Sequence, residues 1–293
     1  MKIIIFGVSG TIGKALTKTL TGNHHDVYGS YNLSKPTFLP SDRTIHLPIG
    51  DLDLLDKFLT EVNPDFVVMA LRGDFEEQLK FHIQTADYLR NTGGRMIFCS
   101  TSNVFDASTD SPHFEEDPPR AASDYGQFKV DCERVMAEIL LDKLTIVRIP
   151  TIFGHNTPRT NELRQQLKDK ESIKIYTNLY STRNTDQLLS MQITYLMEQG
   201  LTGIFHLGTT DIMLHSEFLK RLLTRWGYKD VVFEELMQET FSSVIPEKYY
   251  NSLLTNNPLP KELQINHEQL SNIYHSEEGS RSSSERLPSL FQI

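Results

Sequence analysis

Cysteine is scarce: the 293 residues contain only Cys99 and Cys132, and neither has the spacing of a metal ligand set. One falls in an expected strand and the other in an expected helix. They read as two reduced, buried thiols of a cytoplasmic protein, which excludes a disulfide framework and a zinc site. The adjacent His24 and His25 lack partners at ligand spacing and read as surface residues. Positive charge is also short. Against 38 Asp and Glu stand 29 Lys and Arg, a formal net charge of −9. That balance excludes nucleic acid and anionic membrane as partners, because both need clustered cations. No apolar run approaches the roughly 18 residues of a membrane span. Gly7 interrupts the first apolar stretch, so no signal peptide is expected. Internal repeats are absent too.

The N-terminus holds the strongest positive signal. Met1-Lys2-Ile3-Ile4-Ile5-Phe6-Gly7-Val8-Ser9-Gly10-Thr11-Ile12-Gly13 is an apolar β-branched run, then three spaced glycines, then a helical pattern from Lys14 to Leu20. The run is too short for a helix and suits a strand buried on both faces. Gly7 permits a tight turn, Gly10 clears the approach of a pyrophosphate to the main chain, and Gly13 lets the helix lie close to the sheet. The open N–H groups and dipole of that helix start then face an anion.

Strand and helix patterns alternate through the first half of the chain. Strands are expected at 27–31, 44–47, 66–70, 96–99 and 144–147, with helices at 51–61, 75–89 and 126–141. Repeated βα units of this length imply an α/β fold with a doubly wound parallel (Rossmann) sheet and ligands at the strands' C-terminal ends. Residues 1–154 are expected to form this nucleotide-binding domain. A smaller α+β substrate lobe is expected over 155–274, with elements near 185–207 returning to the first domain. The Ser-rich stretch within 275–293 reads as a disordered tail.

A second constellation lies in Ser100-Thr101-Ser102, at a strand end, and Tyr125-Gly126-Gln127-Phe128-Lys129. Tyr125 and Lys129 are four apart and share one face at the start of a helix. A free tyrosine, with a pKa near 10, is a poor acid at neutral pH. A nearby ammonium favours the phenolate and lowers that value. Such a tyrosine can protonate a carbonyl oxygen while hydride reaches its carbon, with Thr101 polarising the oxygen.

With these residues the chain resembles the extended, sugar-nucleotide-modifying branch of the short-chain dehydrogenase/reductase superfamily, and within it the dTDP-4-dehydrorhamnose reductase type. The resemblance runs through Ser100-Thr101-Ser102-Asn103-Val104-Phe105-Asp106, Glu115-Glu116-Asp117-Pro118, Tyr125-Gly126 with Lys129 and Glu133, Arg148-Ile149-Pro150-Thr151-Ile152-Phe153-Gly154, and Gly203-Ile204-Phe205-His206-Leu207. It spans about residues 1–270 and thins after 154. It implies a catalytic set of Thr101, Tyr125 and Lys129, with Tyr125 and Lys129 also touching the cofactor. Gly7, Gly10, Thr11, Ile12 and Gly13 would line the pyrophosphate. Asp51 and Leu52 would flank the adenine, although Asp51 suits a helix N-cap equally. Ala70 and Leu71 would sit beside the ribose.

Three departures stand out. Ser102 and Asn103 replace an Asp-Tyr pair of the family segment. The stretch Tyr180–Asn184 lacks the expected glycine and proline. Arg72 and Gly73 stand where small residues and a histidine are usual. No acidic residue ends the second strand to hold a 2′-hydroxyl, while Ser30 and Lys35 could accept a phosphate, so NADP(H) is expected over NAD(H). The reading is a reductase of a keto group on a small-molecule substrate, a nucleotide-linked sugar, with Arg159 and Arg183 available to its diphosphate. A sugar-nucleotide epimerase or dehydratase, with Glu115 or Glu116 as the extra acid–base group, is one alternative. A non-catalytic NAD(P)-binding regulatory protein is the other. Two copies could pair as a homodimer through the helix bearing Tyr125.

Overall fold

Apolar β-branched runs pair in parallel where helices can cover both faces of the sheet. The computed structural model, which describes residues 1–154 and 157–278, builds one seven-stranded sheet in this way. Its strands are β1 (Lys2–Phe6), β2 (Asp26–Tyr31), β3 (Thr44–His46), β4 (Phe66–Met69), β5 (Arg95–Thr101), β6 (Leu144–Ile149) and a late strand, Gly203–His206. The order across the sheet is late strand, β6, β5, β4, β1, β2, β3. Every pairing from β3 to β5 is parallel, with Ile3 level with Val27 on one side and Phe66 on the other. Ile3, Ile4, Ile5, Phe6, Val67 and Val68 are wholly buried, as runs without polar alternation require. The expected doubly wound α/β sheet is what forms. Its order reverses between β1 and β4, and at such a switch point the strands' C-terminal ends open a crevice.

Helices α1 (Thr11–Gly22), α2 (Leu52–Val62), α3 (Phe75–Thr92) and α4 (Asp124–Leu140) connect these strands. Their starts are capped as their sequences allow. Asp74 accepts from Glu77 N at the head of α3, and Ser123 Oγ accepts from Gly126 N at the head of α4. α3 runs three residues past its expected end because the left-handed stop is Gly93, at φ +85°. β5 runs two residues past its expected end, which places Thr101 on the sheet itself.

The chain divides into two compact units. The first contains residues 1–104, 123–148 and 186–205. The second contains, among the described residues, 105–122, 149–185 and 206–278. Against an expected boundary at 154, the chain leaves the first unit after Arg148, and 105–122 already belongs to the second. The second unit pairs Thr151–Ile152 with Arg183–Asn184, and sets Leu179–Ser181 between Met213–Leu214 and Tyr249–Asn251. It also pairs Ile173–Tyr176 with Phe233–Leu236 and carries helices Pro158–Lys168, His215–Arg225 and His267–Glu278. The expected tail overlaps the end of that last helix, and 279–293 lies outside the described residues. Among the described residues no helix is long and apolar enough to cross a membrane.

The first βα turn is held by two close approaches. Gly7 has φ +86°, and a Cβ there would lie 2.5 Å from the Ala70 carbonyl oxygen. A Cβ on Gly13 would lie 2.4 Å from the Gly7 carbonyl oxygen and 2.7 Å from Val8 Cα. All of these neighbours are backbone and cannot rotate away. Gly13→Ala is therefore expected to cost about 1–3 kcal/mol, read as a lower urea midpoint. Gly22→Ala, at the other end of α1 with nothing within 4 Å, serves as the control and leaves the midpoint unchanged or raises it.

Candidate active site

At the switch point, Ala70 N donates to Phe6 O at 3.0 Å, which brings Ala70 and Leu71 against the turn at Gly7. Gly10 N closes that turn on Gly7 O at 3.0 Å, and Gly10 is also the N-cap of α1. It offers no side chain to the helix start, and no acidic residue follows in the first turn. Thr11 and Ile12, half-buried, begin the helix. The N–H groups there are thus left to an anion, and the helix dipole favours one.

The other expected nucleotide contacts are placed less uniformly. Asp51 caps α2, its Oδ1 accepting from Leu54 N at 3.0 Å, while Leu52 is half-buried beside it. The N-cap role weighed for Asp51 is therefore observed. Ser30 is only 2% exposed, and its carbonyl accepts from Val8 N at 3.1 Å. Ser30 therefore lies enclosed at the end of β2. Lys35 is exposed, four residues beyond the end of β2.

Thr101 ends β5, while Tyr125 and Lys129 lie in the first turns of α4. The Thr101 hydroxyl, which accepts from Asn103 N at 3.3 Å, acts on the Tyr125 phenol and lowers its pKa. Lys129 Nζ donates to the Cys99 carbonyl at 3.0 Å and lies 6.0 Å from the centre of the Tyr125 ring. One bond thus ties α4 to the strand that carries Thr101, and the three expected residues come together. Phe75 flanks them from α3, stacked on Phe128 at 4.6 Å and 6.2 Å from the Tyr125 ring.

The electrostatics differ from the expectation that Lys129 would lower the tyrosine's pKa. Although 41% of Tyr125 is exposed, burial of its phenol raises the pKa above the ordinary tyrosine value. The opposing pull comes from the Arg72 guanidinium and the Thr101 hydrogen bond. Lys129 is itself pushed below the ordinary lysine value by burial, with Arg72 adding to that and Cys132, Cys99 and Glu133 opposing it. Arg72 thus supplies the positive field on the phenol. The sequence marked it as a departure without assigning it that effect. The two thiols are buried, and burial pushes both up to about 12, so they are inert.

Behind Lys129 lies a buried ion pair. Arg148 Nη2 meets Glu133 Oε2 at 2.8 Å and Arg148 Nε meets Oε1 at 3.1 Å, while Ser100 Oγ donates to the same carboxylate. Glu133 is 5% and Arg148 1% exposed. The pair links α4 to β6, and Ser100 adds β5 one residue before Thr101.

A model of the NAD dependent epimerase/dehydratase family matches residues 3–185, more than half of the chain. The chain belongs to that family. A probable low-salt glycan biosynthesis reductase of Haloferax volcanii is 23% identical over 241 residues, 76% of this chain and 79% of that protein. Methionine adenosyltransferase 2 subunit beta of Danio rerio is 25% identical over 239 residues, 74% of this chain and 71% of that protein. The fold matches the crystal structure of dTDP-4-dehydrorhamnose reductase from Bacillus anthracis in complex with NADP, at TM-score 0.74 and 19% identity, over 94% of this chain and 99% of that one.

Glu115, weighed as the extra acid–base group of an epimerase or dehydratase, has a definite position in the second unit. Its Oε1 accepts from His206 N at 3.0 Å and from Thr255 Oγ1, and its Oε2 accepts from Asn256 N at 3.0 Å. Glu115 is a strut of that unit. Glu133 is the carboxylate whose loss matters for the site. Glu133→Ala leaves the Arg148 charge buried without its partner, and is expected to cost about 3–5 kcal/mol in a denaturant titration.

Proposed function

We propose that this protein is an NADP(H)-dependent reductase that transfers hydride to a keto group on a nucleotide-linked sugar. The observation carrying the reading is the assembly of Thr101, Tyr125 and Lys129 across the joined β5 and α4. NADP(H), when bound, supplies the hydride. The glycine turn and the uncapped start of α1 suit its pyrophosphate. Ala70 and Leu71 would line its ribose, and Asp51 and Leu52 its adenine. The choice of NADP(H) over NAD(H) rests on Tyr31 and Asn32 ending β2 without an acidic group, and on exposed Lys35.

Tyr125 delivers its hydroxyl proton to the carbonyl oxygen, which becomes the product alcohol. A phenol held above its ordinary pKa carries that proton throughout the neutral range, as the reductive direction needs. Thr101 donates to the same oxygen as charge builds on it. Lys129 would hold the cofactor's nicotinamide ribose, and its ammonium pairs with the negative charge left on Tyr125.

The second unit carries two arginines of the kind that bind a diphosphate, Arg159 and Arg183. Arg183 is 1% exposed, its Nη1 bonded to Ser181 O at 3.3 Å and to His267 Nε2 at 2.9 Å. Its Nη2 has no hydrogen-bond partner among the described residues. Burial, with Arg159 adding, presses Arg183 down to about 9, so it remains cationic at neutral pH. Burial together with these two arginines takes His215 down to about 3. Two like charges and a neutral imidazole suit an anion.

Glu115 would have to break its three bonds to serve an epimerase or dehydratase, which favours the reductase. The non-catalytic reading draws on the relationship to a protein named as a subunit. The test follows NADPH absorbance with a dTDP-4-keto-6-deoxy sugar. Net oxidation is expected, and Tyr125→Phe is expected to lower kcat by about 10²–10⁴ while NADPH binding persists. Turnover without net oxidation means an epimerase. An unchanged cellular phenotype in Tyr125→Phe, with cofactor still bound, means a regulatory protein.

A further inference from the structure

His82, in α3, is a buried polar group that the mechanism above does not use. It is 1% exposed, and neither Nδ1 nor Nε2 has a hydrogen-bond partner among the described residues. Its ring meets Phe98 edge-on at 5.4 Å and lies nearly parallel to Phe128 at 6.5 Å. The same two phenylalanines flank Lys129, whose Nζ lies 4.6 Å from the Phe98 ring centre and 5.6 Å from that of Phe128. Lys129 is 5% exposed, and Cys99 O takes only one of the ammonium's three protons. Unmet donors on Lys129 and an unmet acceptor on His82 therefore border the same two rings, and the Lys129 charge acts on His82.

Each unsatisfied buried group costs about 1–3 kcal/mol, and buried water commonly meets such groups in pairs or threes. We propose that His82 is a positioning residue for Lys129: through one buried water its imidazole accepts from the ammonium and holds it charged in register with Tyr125. This rests on the reading of Lys129 as a catalytic residue. Burial and the charge of Lys129 hold His82 well below the ordinary histidine value, so the imidazole is neutral and presents one acceptor nitrogen. The other groups acting on Lys129 are Cys99 from β5, Cys132 and Glu133 from α4, and Arg72 from the loop after β4. Cys99 and Cys132 are protonated thiols at neutral pH, and Glu133 is occupied by Arg148 and Ser100.

Removing an acceptor from an ammonium disfavours its charged form, so the pKa of Lys129 must fall. The test is an NMR titration of protein carrying ¹³C-labelled lysine, with the Lys129 signal assigned by its loss in Lys129→Met. His82→Leu is expected to lower the Lys129 midpoint by about one pH unit. His82→Gln, which keeps an acceptor, is expected to restore it. In NADPH oxidation the alkaline limb of the rate profile moves down with the Leu variant and returns with Gln. An unmoved Lys129 midpoint in His82→Leu overturns the proposal, as does an equal shift in Leu and Gln. Should the Leu variant fail to fold, His82→Met takes its place under the same criteria. The titration reads Lys129 directly, so it decides the role of His82 even if no keto sugar is reduced.

Discussion

A single charge-assisted hydrogen bond, from the Lys129 ammonium to the Cys99 carbonyl, sets the geometry of the first unit's functional end. It helps to hold α4 against β5, and with it the phenol one turn earlier in register with Thr101. The bond is strong because one partner is ionised and both lie away from water. The same burial makes it demanding, since an ammonium taken from water must be compensated on every side. Phe98, Phe128 and Tyr125 present ring faces to it within 6.0 Å, which supplies part of that compensation.

The Glu133–Arg148 pair belongs to the same constraint. Glu133 lies four residues beyond Lys129, on the same face of α4. Its carboxylate therefore faces inward as well, where an uncompensated charge would be prohibitive. Arg148, at the end of β6, meets it in two places. The spacing Tyr125, Lys129, Glu133 is thus one stripe with three tasks. In the proposed reaction the phenol reaches the reacting oxygen and the ammonium neutralises and orients, while the carboxylate anchors the helix to the sheet. Changing the pitch or the start of α4 would disturb all three together, which is why the Ser123 cap at its head belongs to the site as much as the stripe does.

Legibility followed locality. The glycine turn, the βα alternation and the Tyr125–Lys129 spacing are encoded within a dozen residues each, and all three recur in the structure. The helix ends shifted by at most a few residues where Gly93 supplied the stop. What the sequence hid depends on residues far apart in the chain. The strands Ile173–Tyr176, Phe233–Leu236 and Tyr249–Asn251 are short and paired across long separations, so no local period marks them. The transfer of 105–122 to the second unit has the same cause, because His113 N and Glu115 find their partners near 252–256. Within the site, Glu133 and Arg148 were visible as parts of a motif, yet their pairing needed the fold. Arg72 was visible only as an irregularity, and His82 gave no sign at all.

Arg72 and His82 change how the familiar spacing should be understood in this chain. A tyrosine beside a lysine suggests a phenol made acidic by an ammonium. Here burial governs both groups, raising the phenol's pKa and lowering the lysine's. The phenol thus holds its proton more firmly, and the ammonium less firmly, than either would in water. Arg72 biases the phenol the other way, toward the phenolate. Protein groups supply such a bias only if they are already oriented when charge moves, since reorganisation during the reaction would consume the gain. The Cys99 bond and the buried brace behind it provide that orientation before any substrate arrives.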